Sequence, residues 1–463
     1  MAQKDKQARE RASEQRSAPG RAGRPIVAIV GRPNVGKSAL FNRLTRTKIA
    51  IVEDRPGVTR DRLYADANAY GRDYVLVDTG GFDPESEDPL KQSIASQVRV
   101  ALSEADAVIC VLDGSMPALP ADREAIKLLR GNQKPVLYVA NKIDNAALSL
   151  EAQELYRLGI KELHEISALH GHGVGDLEQA LLDVLPATSG DDDAEGAPIP
   201  RIAIVGRPNA GKSSIVNRLL GEERQIVDAR PGTTVDSVDA LYDADGEPMI
   251  LIDTAGIRRK RAVEEGLEAL AVMQAIRAIE RSHTVLLMID GSEGAAQQDA
   301  RLCGMALDRG RGLVIALNKM DLLDGKQRNA ALDKAKDEFV FAAWAPLLRV
   351  SARSGHGVQT LMKTVRTVNA NHHKRVSTGE MNRFFEEVLA HHPPPTSGGR
   401  AVRLYYVTQA RTAPPTFMVS TNYPERVHPS YQRYLTNQIR ERFDFAGTPI
   451  RVHYRGRKKG EED

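Results

Sequence analysis

Short runs of β-branched and aliphatic residues recur along the chain, separated by longer stretches of helical spacing. Runs over Ile26–Val30, Tyr74–Val77, Val108–Leu112 and Val136–Ala140 predict one set of strands. A second set falls at Ile202–Val205, Met249–Ile252, Val285–Ile289 and Leu313–Leu317. Strands with so few polar interruptions suit a parallel sheet covered on both faces. Their alternation with helices predicts two doubly wound α/β domains. Beyond Asn371 the pattern changes. It reads helix (Thr378–His391), strand (Val402–Thr408), strand (Thr416–Ser420), helix (Pro429–Phe443) and strand (Pro449–Tyr454), a small α+β domain with one antiparallel or mixed sheet.

The two α/β stretches are repeats of each other. Gly31, Arg32, Pro33, Asn34, Val35, Gly36, Lys37 and Ser38 recur as Gly206, Arg207, Pro208, Asn209, Ala210, Gly211, Lys212 and Ser213, an offset of 175. Asp78, Thr79, Gly80 and Gly81 recur as Asp253, Thr254, Ala255 and Gly256 at the same offset. Asn141, Lys142, Ile143 and Asp144 recur as Asn318, Lys319, Met320 and Asp321, and Ser167–Ala168 as Ser351–Ala352. The predicted organisation is a basic disordered extension (1–24), a first α/β domain (25–186), an acidic linker (187–200), a second α/β domain (201–370), a small α+β domain (371–455) and a charged tail (456–463).

The repeated motifs carry phosphate chemistry. Gly-x-x-x-x-Gly-Lys-Ser between a strand and a helix is a P-loop. Its backbone N–H groups turn toward phosphates, and the helix N-terminus adds favourable partial charge. Lys37 and Lys212 would neutralise the β/γ-phosphates, and the Ser38 and Ser213 hydroxyls would ligate Mg²⁺. Asp78 and Asp253 close apolar strands and would hold Mg²⁺ through water, while Gly81 and Gly256 would offer an N–H to the γ-phosphate. Thr59 and Thr234 each lie 22 positions after their P-loop lysine. A threonine there completes the Mg²⁺ shell only when a γ-phosphate is present, which makes its loop a switch.

The base is read by Asp144 and Asp321. A carboxylate only accepts hydrogen bonds, and guanine offers two donors where adenine offers an acceptor, so GTP and GDP are the expected ligands. Lys142 and Lys319 would pack over the base. Asn141 and Asn318 would tie this loop to the P-loop, and Ser167–Ala168 and Ser351–Ala352 would give a backbone N–H to the guanine oxygen. After Asp-x-x-Gly stand Phe82 and Ile257, where many GTPases carry a water-orienting Gln. Slow intrinsic hydrolysis is the expectation, with Asn34 and Asn209 as holders of a monovalent cation near the phosphates.

Charge is distributed unevenly. The net charge is only +3, yet residues 371–460 carry 15 Lys/Arg against 6 Asp/Glu, while residues 25–370 carry −7. The same C-terminal stretch holds 11 of the 22 Phe, Tyr and Trp. Basic and aromatic groups interleaved on a small sheet point to RNA, with Arg403, Arg433, Arg440, Arg451, Arg455 and Lys458 as expected contacts. The two cysteines, Cys110 and Cys303, exclude a disulfide framework. No apolar run approaches the ~18–20 residues of a membrane span, and no lipidation signal is seen.

Taken together, these motifs resemble the Der (EngA) family of bacterial GTPases, with two tandem GTPase domains and a C-terminal KH-like domain. The resemblance covers about residues 25–455. It includes the Asp253–Lys260 and Ala278–Ser282 stretches of the second domain and Pro429–Leu435 and Gly447–Arg451 of the last. Val235 departs from it, standing where Arg often follows the second switch threonine. The resemblance implies a GTPase acting in late assembly of the large (50S) ribosomal subunit, with GTP state controlling association and potassium stimulating hydrolysis. It also implies a KH-like domain without the usual Gly-x-x-Gly clamp. A cytoplasmic monomer without membrane contact is expected.

Overall fold

The computed structural model describes residues 23–45, 64–79, 94–186, 199–222, 239–244, 247–252, 267–396 and 400–456. These fall into two compact units. One gathers the described residues of 23–186 together with 267–280; the other gathers those of 199–252 and 281–456.

The first unit runs β1 (Ile26–Val30), α1 (Lys37–Thr45), β2 (Tyr64–Ala69), β3 (Arg72–Asp78), α2 (Ile94–Glu104), β4 (Ala107–Asp113), α3 (Pro120–Arg130), β5 (Val136–Asn141), α4 (Ala146–Ala152), β6 (Leu163–Glu165) and α5 (Val174–Val184). Its sheet has the order β2-β3-β1-β4-β5-β6. All pairs are parallel except the β2–β3 hairpin. Every residue of β1 and β4 is buried, as expected where helices cover both faces. Leu40, Phe41 and Leu44 of α1 pack with Val27, Ile29, Tyr74 and Leu76. Because β3 and β4 flank β1, the chain leaves β1 toward opposite sides, and its carboxyl end opens a crevice suited to a ligand.

In the second unit β7 (Arg201–Val205), α6 (Lys212–Glu222), β8 (Ala240–Ala244) and β9 (Glu247–Ile252) repeat that opening. Then α7 (Leu267–Arg281) follows, whose residues to Glu280 belong to the first unit. The second unit resumes with β10 (Thr284–Asp290), α8 (Gln297–Asp308), β11 (Gly312–Asn318), α9 (Gly325–Glu338), β12 (Leu347–Arg349) and α10 (Val358–His373). The sheet order, β8-β9-β7-β10-β11-β12, is that of the first repeat.

The same unit continues into α11 (Thr378–His391), β13 (Leu404–Arg411), β14 (Thr416–Thr421), α12 (Pro429–Arg442) and β15 (Arg451–Gly456). Here β13–β14 are antiparallel and β14–β15 parallel, so the sheet is mixed. Ser377 caps α11, its hydroxyl accepting from the Glu380 N–H. Phe384, Phe385, Phe417, Tyr431, Leu435 and Phe445 form this domain's own core. It is joined to the second α/β sheet by backbone bonds, Leu313 N–H to Gly447 O (2.7 Å) and Gly447 N–H to Trp344 O (3.2 Å).

Three expectations need correction. Arg24 falls in the expected disordered extension, but its guanidinium pairs with Asp66 (3.0 Å) and with buried Glu280 (3.0 and 3.2 Å). The last strand begins at Arg451 rather than Pro449 and extends to Gly456; proline has no N–H for the ladder. The short strands β2, β6, β8 and β12 add to the expected sets, since edge strands of three to six residues carry little periodic signal. Residues 1–22, most of the expected linker and the tail from residue 457 lie outside the described residues.

Candidate functional site

The site of the first unit is assembled at the carboxyl ends of β1, β3, β4 and β5. The P-loop leaves β1 at Gly31 and enters α1 at Lys37. Lys37 is buried, and its Nζ donates to Gly31 O and Arg32 O, both at 2.8 Å. Burial lowers the Lys37 pKa, and the Asp78 carboxylate opposes that shift. Ser38 Oγ donates to Asp78 Oδ2 at 3.2 Å. Two oxygens expected to serve one Mg²⁺ thus already converge, hard ligands of the type the ion prefers. Thr79 Oγ1 anchors the end of β3 by donating to Ile29 O (2.7 Å).

The base-reading loop is tied to the P-loop as expected. Asn141 Nδ2 donates to Val35 O (2.8 Å), and Asn141 Oδ1 accepts from the Ala168 N–H (2.9 Å). One buried amide therefore joins three sequence-distant motifs. Gly36 lies against it with φ +94°, and a Cβ there would collide with the Asn141 amide. Lys142 Nζ pairs with Asp113 at 2.7 Å. Asp144 is exposed, its carboxylate available to a base edge.

The second unit repeats these contacts. Lys212 Nζ donates to Gly206 O and Arg207 O, both at 2.6 Å. Asn318 Nδ2 donates to Ala210 O, and its Oδ1 accepts from the Ala352 N–H, both at 2.9 Å. Asp321 is exposed, and a hydrogen bond from Ser351 holds its pKa below the usual carboxylate range. Ser213 opens α6 beside Lys212. Asn34 and Asn209 are exposed at equivalent crests of the two P-loops, both in the left-handed region (φ +65° and +63°), which Asn tolerates better than most residues. Of the remaining expected site residues, Thr59, Gly80, Gly81 and Phe82 in the first repeat, and Thr234, Asp253, Thr254, Ala255, Gly256 and Ile257 in the second, lie outside the described residues.

Some contributors were not foreseen. Arg43 Nε and Arg218 Nε donate to Ala168 O (3.0 Å) and Ala352 O (2.6 Å), holding the Ser-Ala turns. Asp113 and Asp290 pair with the base-loop lysines. Repetition could have revealed them: each arginine lies six residues after its P-loop lysine, and the Asp-Gly-Ser runs at 113–115 and 290–292 share the offset of 177 seen for the Asn-Lys motifs.

On the C-terminal domain Arg403, Arg433 and Arg455 are exposed, as the RNA reading requires. Arg451 is exposed but donates to Asp308 O (3.0 Å). Arg440 is a correction. Its guanidinium lies 4.4 Å from the Trp344 ring centroid and donates to Phe445 O (2.7 Å) and Thr448 O (2.6 Å). Burial lowers its pKa to about 10, and its Nη1 is spent on two carbonyls of its own domain, so it reads as a structural cation. Lys458 lies outside the described residues. A register shift between Leu404 and Val407 keeps both of those inward and leaves Tyr405 and Tyr406 both outside, 40% and 46% exposed.

The chain is similar to known proteins over most of its length. The model described as "50S ribosome-binding GTPase" matches residues 26–142 and again 201–319. "KH-domain-like of EngA bacterial GTPase enzymes, C-terminal" matches 375–455, and an elongation factor Tu GTP-binding domain model matches 271–370. "GTPase Der" of Geobacter metallireducens is 47% identical over 94% of this chain and 100% of its own length. "GTPase Der" of Symbiobacterium thermophilum is 45% identical over 94% of this chain and 93% of its own length. Among solved structures, Aquifex aeolicus Era bound to GDP and aluminium fluoride has 22% identity and a TM-score of 0.30, covering 61% of this chain and 99% of that one. With two repeated guanine-nucleotide sites, a KH-like C-terminal domain and relatives matched over nearly their full length, the chain belongs to the Der (EngA) family of GTPases.

Proposed function

We propose that this GTPase is a switch in late ribosome assembly that associates with the large (50S) subunit according to its bound nucleotide. The observation that carries the reading is the pairing of two guanine sites with a basic, aromatic C-terminal domain. Either site supplies a GDP state and a GTP state, and the domain supplies a surface suited to RNA. Tyr405 and Tyr406 offer ring faces for unpaired bases, and Arg403, Arg433 and Arg455 offer phosphate contacts. Relatives named for GTPase activity support the switch, and a family model named for 50S binding supports the same partner. The organisation carried by the reading is two GTPase domains, 25–186 and 201–370, and an RNA-binding domain, 371–455, in a cytoplasmic monomer.

In each site the P-loop lysine and the Asp-x-x-Gly amide stabilise charge on the transferred phosphoryl group. Ser38, Thr59 and Asp78, and Ser213, Thr234 and Asp253, would hold Mg²⁺, which supplies charge neutralisation across the phosphates. Phe82 and Ile257 cannot orient a water, so intrinsic turnover is slow. The left-handed crests at Asn34 and Asn209 support potassium as the auxiliary cation.

The test is co-sedimentation with separated ribosomal subunits, in GDP and in a non-hydrolysable GTP analogue. Large-subunit binding that depends on the analogue is the expected result. Binding to neither subunit in either state overturns the reading. Hydrolysis rates that are equal in potassium and sodium buffers overturn the cation assignment.

A further inference from the structure

The segments leading from β4 to α3 and from β10 to α8 hold four buried carboxylates that no phosphate or base motif includes. Asp113 and Asp122 are 6% and 1% exposed, and Asp290 and Asp299 are 3% and 0%. The two members of each pair are nine residues apart. We propose that each segment is a two-carboxylate brace that positions both ends of its nucleotide site. Asp113 and Asp290 orient the base-packing lysines, and Asp122 and Asp299 hold the P-loop through Arg32 and Arg207. The proposal rests on the guanine-nucleotide reading of the two sites.

At the base end, Asp113 Oδ2 accepts from Lys142 Nζ at 2.7 Å, while its Oδ1 accepts from the N–H and hydroxyl of Ser115. The Gly114 N–H bonds to Asn141 O (2.8 Å), so the segment is also tied to the base loop through the backbone. Asp290 repeats all of this with Lys319, Ser292 and the Gly291 N–H to Asn318 O. Burial alone would raise both carboxyls, yet both sit below their usual range because the lysine and serine donate to them.

At the phosphate end, Arg32 Nε donates to both Asp122 oxygens (2.8 and 2.9 Å). Asp122 Oδ2 also accepts from the Leu119 N–H, placing the carboxylate at the α3 N-terminus, where the helix dipole favours it. The residue it grips matters: Arg32 O is one of the two carbonyls holding Lys37 Nζ. Asp299 repeats the arrangement with Arg207 Nε (2.9 Å) and the Ala296 N–H (3.1 Å), and Arg207 O holds Lys212. Thus Asp122 and Asp299 are positioning residues acting on the P-loop lysine through one arginine.

The copies differ in two respects: Arg207 Nε reaches one Asp299 oxygen where Arg32 Nε reaches both of Asp122, and the two arginines have different further contacts. Beyond Asp122, the Arg32 guanidinium reaches Met116 sulfur at 3.8 Å among the described residues, a weak acceptor. Arg207 also reaches Glu293 (3.3 Å) and Gly294 O (3.0 Å). Loss of Asp122 therefore leaves its arginine poorly held, whereas loss of Asp299 does not.

The experiment uses the full chain with one site silenced, Lys212→Ala to read the first and Lys37→Ala to read the second. Fluorescent mant-GDP release, GTP kcat and KM, and the nucleotide-free melting temperature are measured for Asp113→Asn, Asp122→Asn, Asp290→Asn and Asp299→Asn. Asn keeps the volume and removes the charge. Asp113→Asn and Asp290→Asn are expected to speed mant-GDP release roughly tenfold with kcat nearly unchanged, since base contacts act equally on ground and transition states. Asp122→Asn is expected to lower kcat roughly tenfold as well as speed release, and Asp299→Asn to do so by less than about threefold. If Asp122→Asn does not fold, Arg32→Gln removes the same pair. Release and kcat within about twofold of the parent for all four variants, or a uniform loss that follows melting temperature alone, overturns the brace. A parent that binds no mant-GDP overturns the nucleotide reading along with it.

Discussion

Replacing Asn318 with alanine tests how far one buried amide integrates the second site. The substitution removes the bond to Ala210 O in the P-loop and the bond from the Ala352 N–H in the Ser-Ala turn, both 2.9 Å, from a residue 2% exposed. Each buried bond lost costs about 1–3 kcal/mol because its partner is left without its mate. The pair is therefore worth about 2–6 kcal/mol. The lower figure already corresponds to roughly a thirtyfold change in Kd or a fall of roughly 4–8 °C in melting temperature. Both bonds exist without nucleotide, so the nucleotide-free protein is expected to melt earlier. The P-loop and base loop also lose their common anchor, so mant-GDP affinity at the second site, read with Lys37→Ala in the same chain, is expected to fall by more than about threefold, and by about that thirtyfold if the whole of the lower cost falls on binding. Asn141→Ala is the matching variant in the first site, through Val35 O and the Ala168 N–H. A melting temperature that falls while affinity stays within about threefold would refute the reasoning: the amide would then support the fold without organising the site.

Arg440→Ala should lower the melting temperature through loss of two carbonyl bonds and the Trp344 contact, about 2–4 kcal/mol together. The change is readable in the fluorescence of Trp344, the chain's single tryptophan; Arg403→Ala should leave that fluorescence unchanged and weaken RNA binding, and the reverse pattern would restore Arg440 as an RNA contact. Stability should also fall in mild acid. Burial lowers the His283 pKa to about 3, helped by His373, Arg311 and Arg201. Below the ordinary imidazole value near 6.5, the unfolded chain binds a proton that the folded chain does not, so stability is lost as pH falls. By pH 5 the loss is about 2 kcal/mol, and denaturant titrations of His283→Gln should show a flatter pH dependence than the parent.

Much of this molecule is legible in its residue pattern because each motif is local. A P-loop needs a strand, a short loop and a helix, all within about twenty residues, and its glycine, lysine and serine spacing follows from phosphate geometry. The central strands, fully buried, announce themselves as apolar runs. The doubling of every motif identified the tandem sites without coordinates, and the helix Thr378–His391 falls where its spacing places it. What pattern could not settle depends on who meets whom across the fold. Arg440 reads as one more cation on a basic domain until Trp344, 96 positions away in the chain, takes up its face. Asp122 reads as a helix-start carboxylate, and only folding brings it to Arg32 ninety positions earlier. Tyr405 and Tyr406, neighbours on a strand, would ordinarily face opposite ways; a bulge whose register is set by β14 leaves both outside. Charge and aromaticity are properties of a residue, but whether they are spent within the fold or left for a partner is decided by tertiary neighbours.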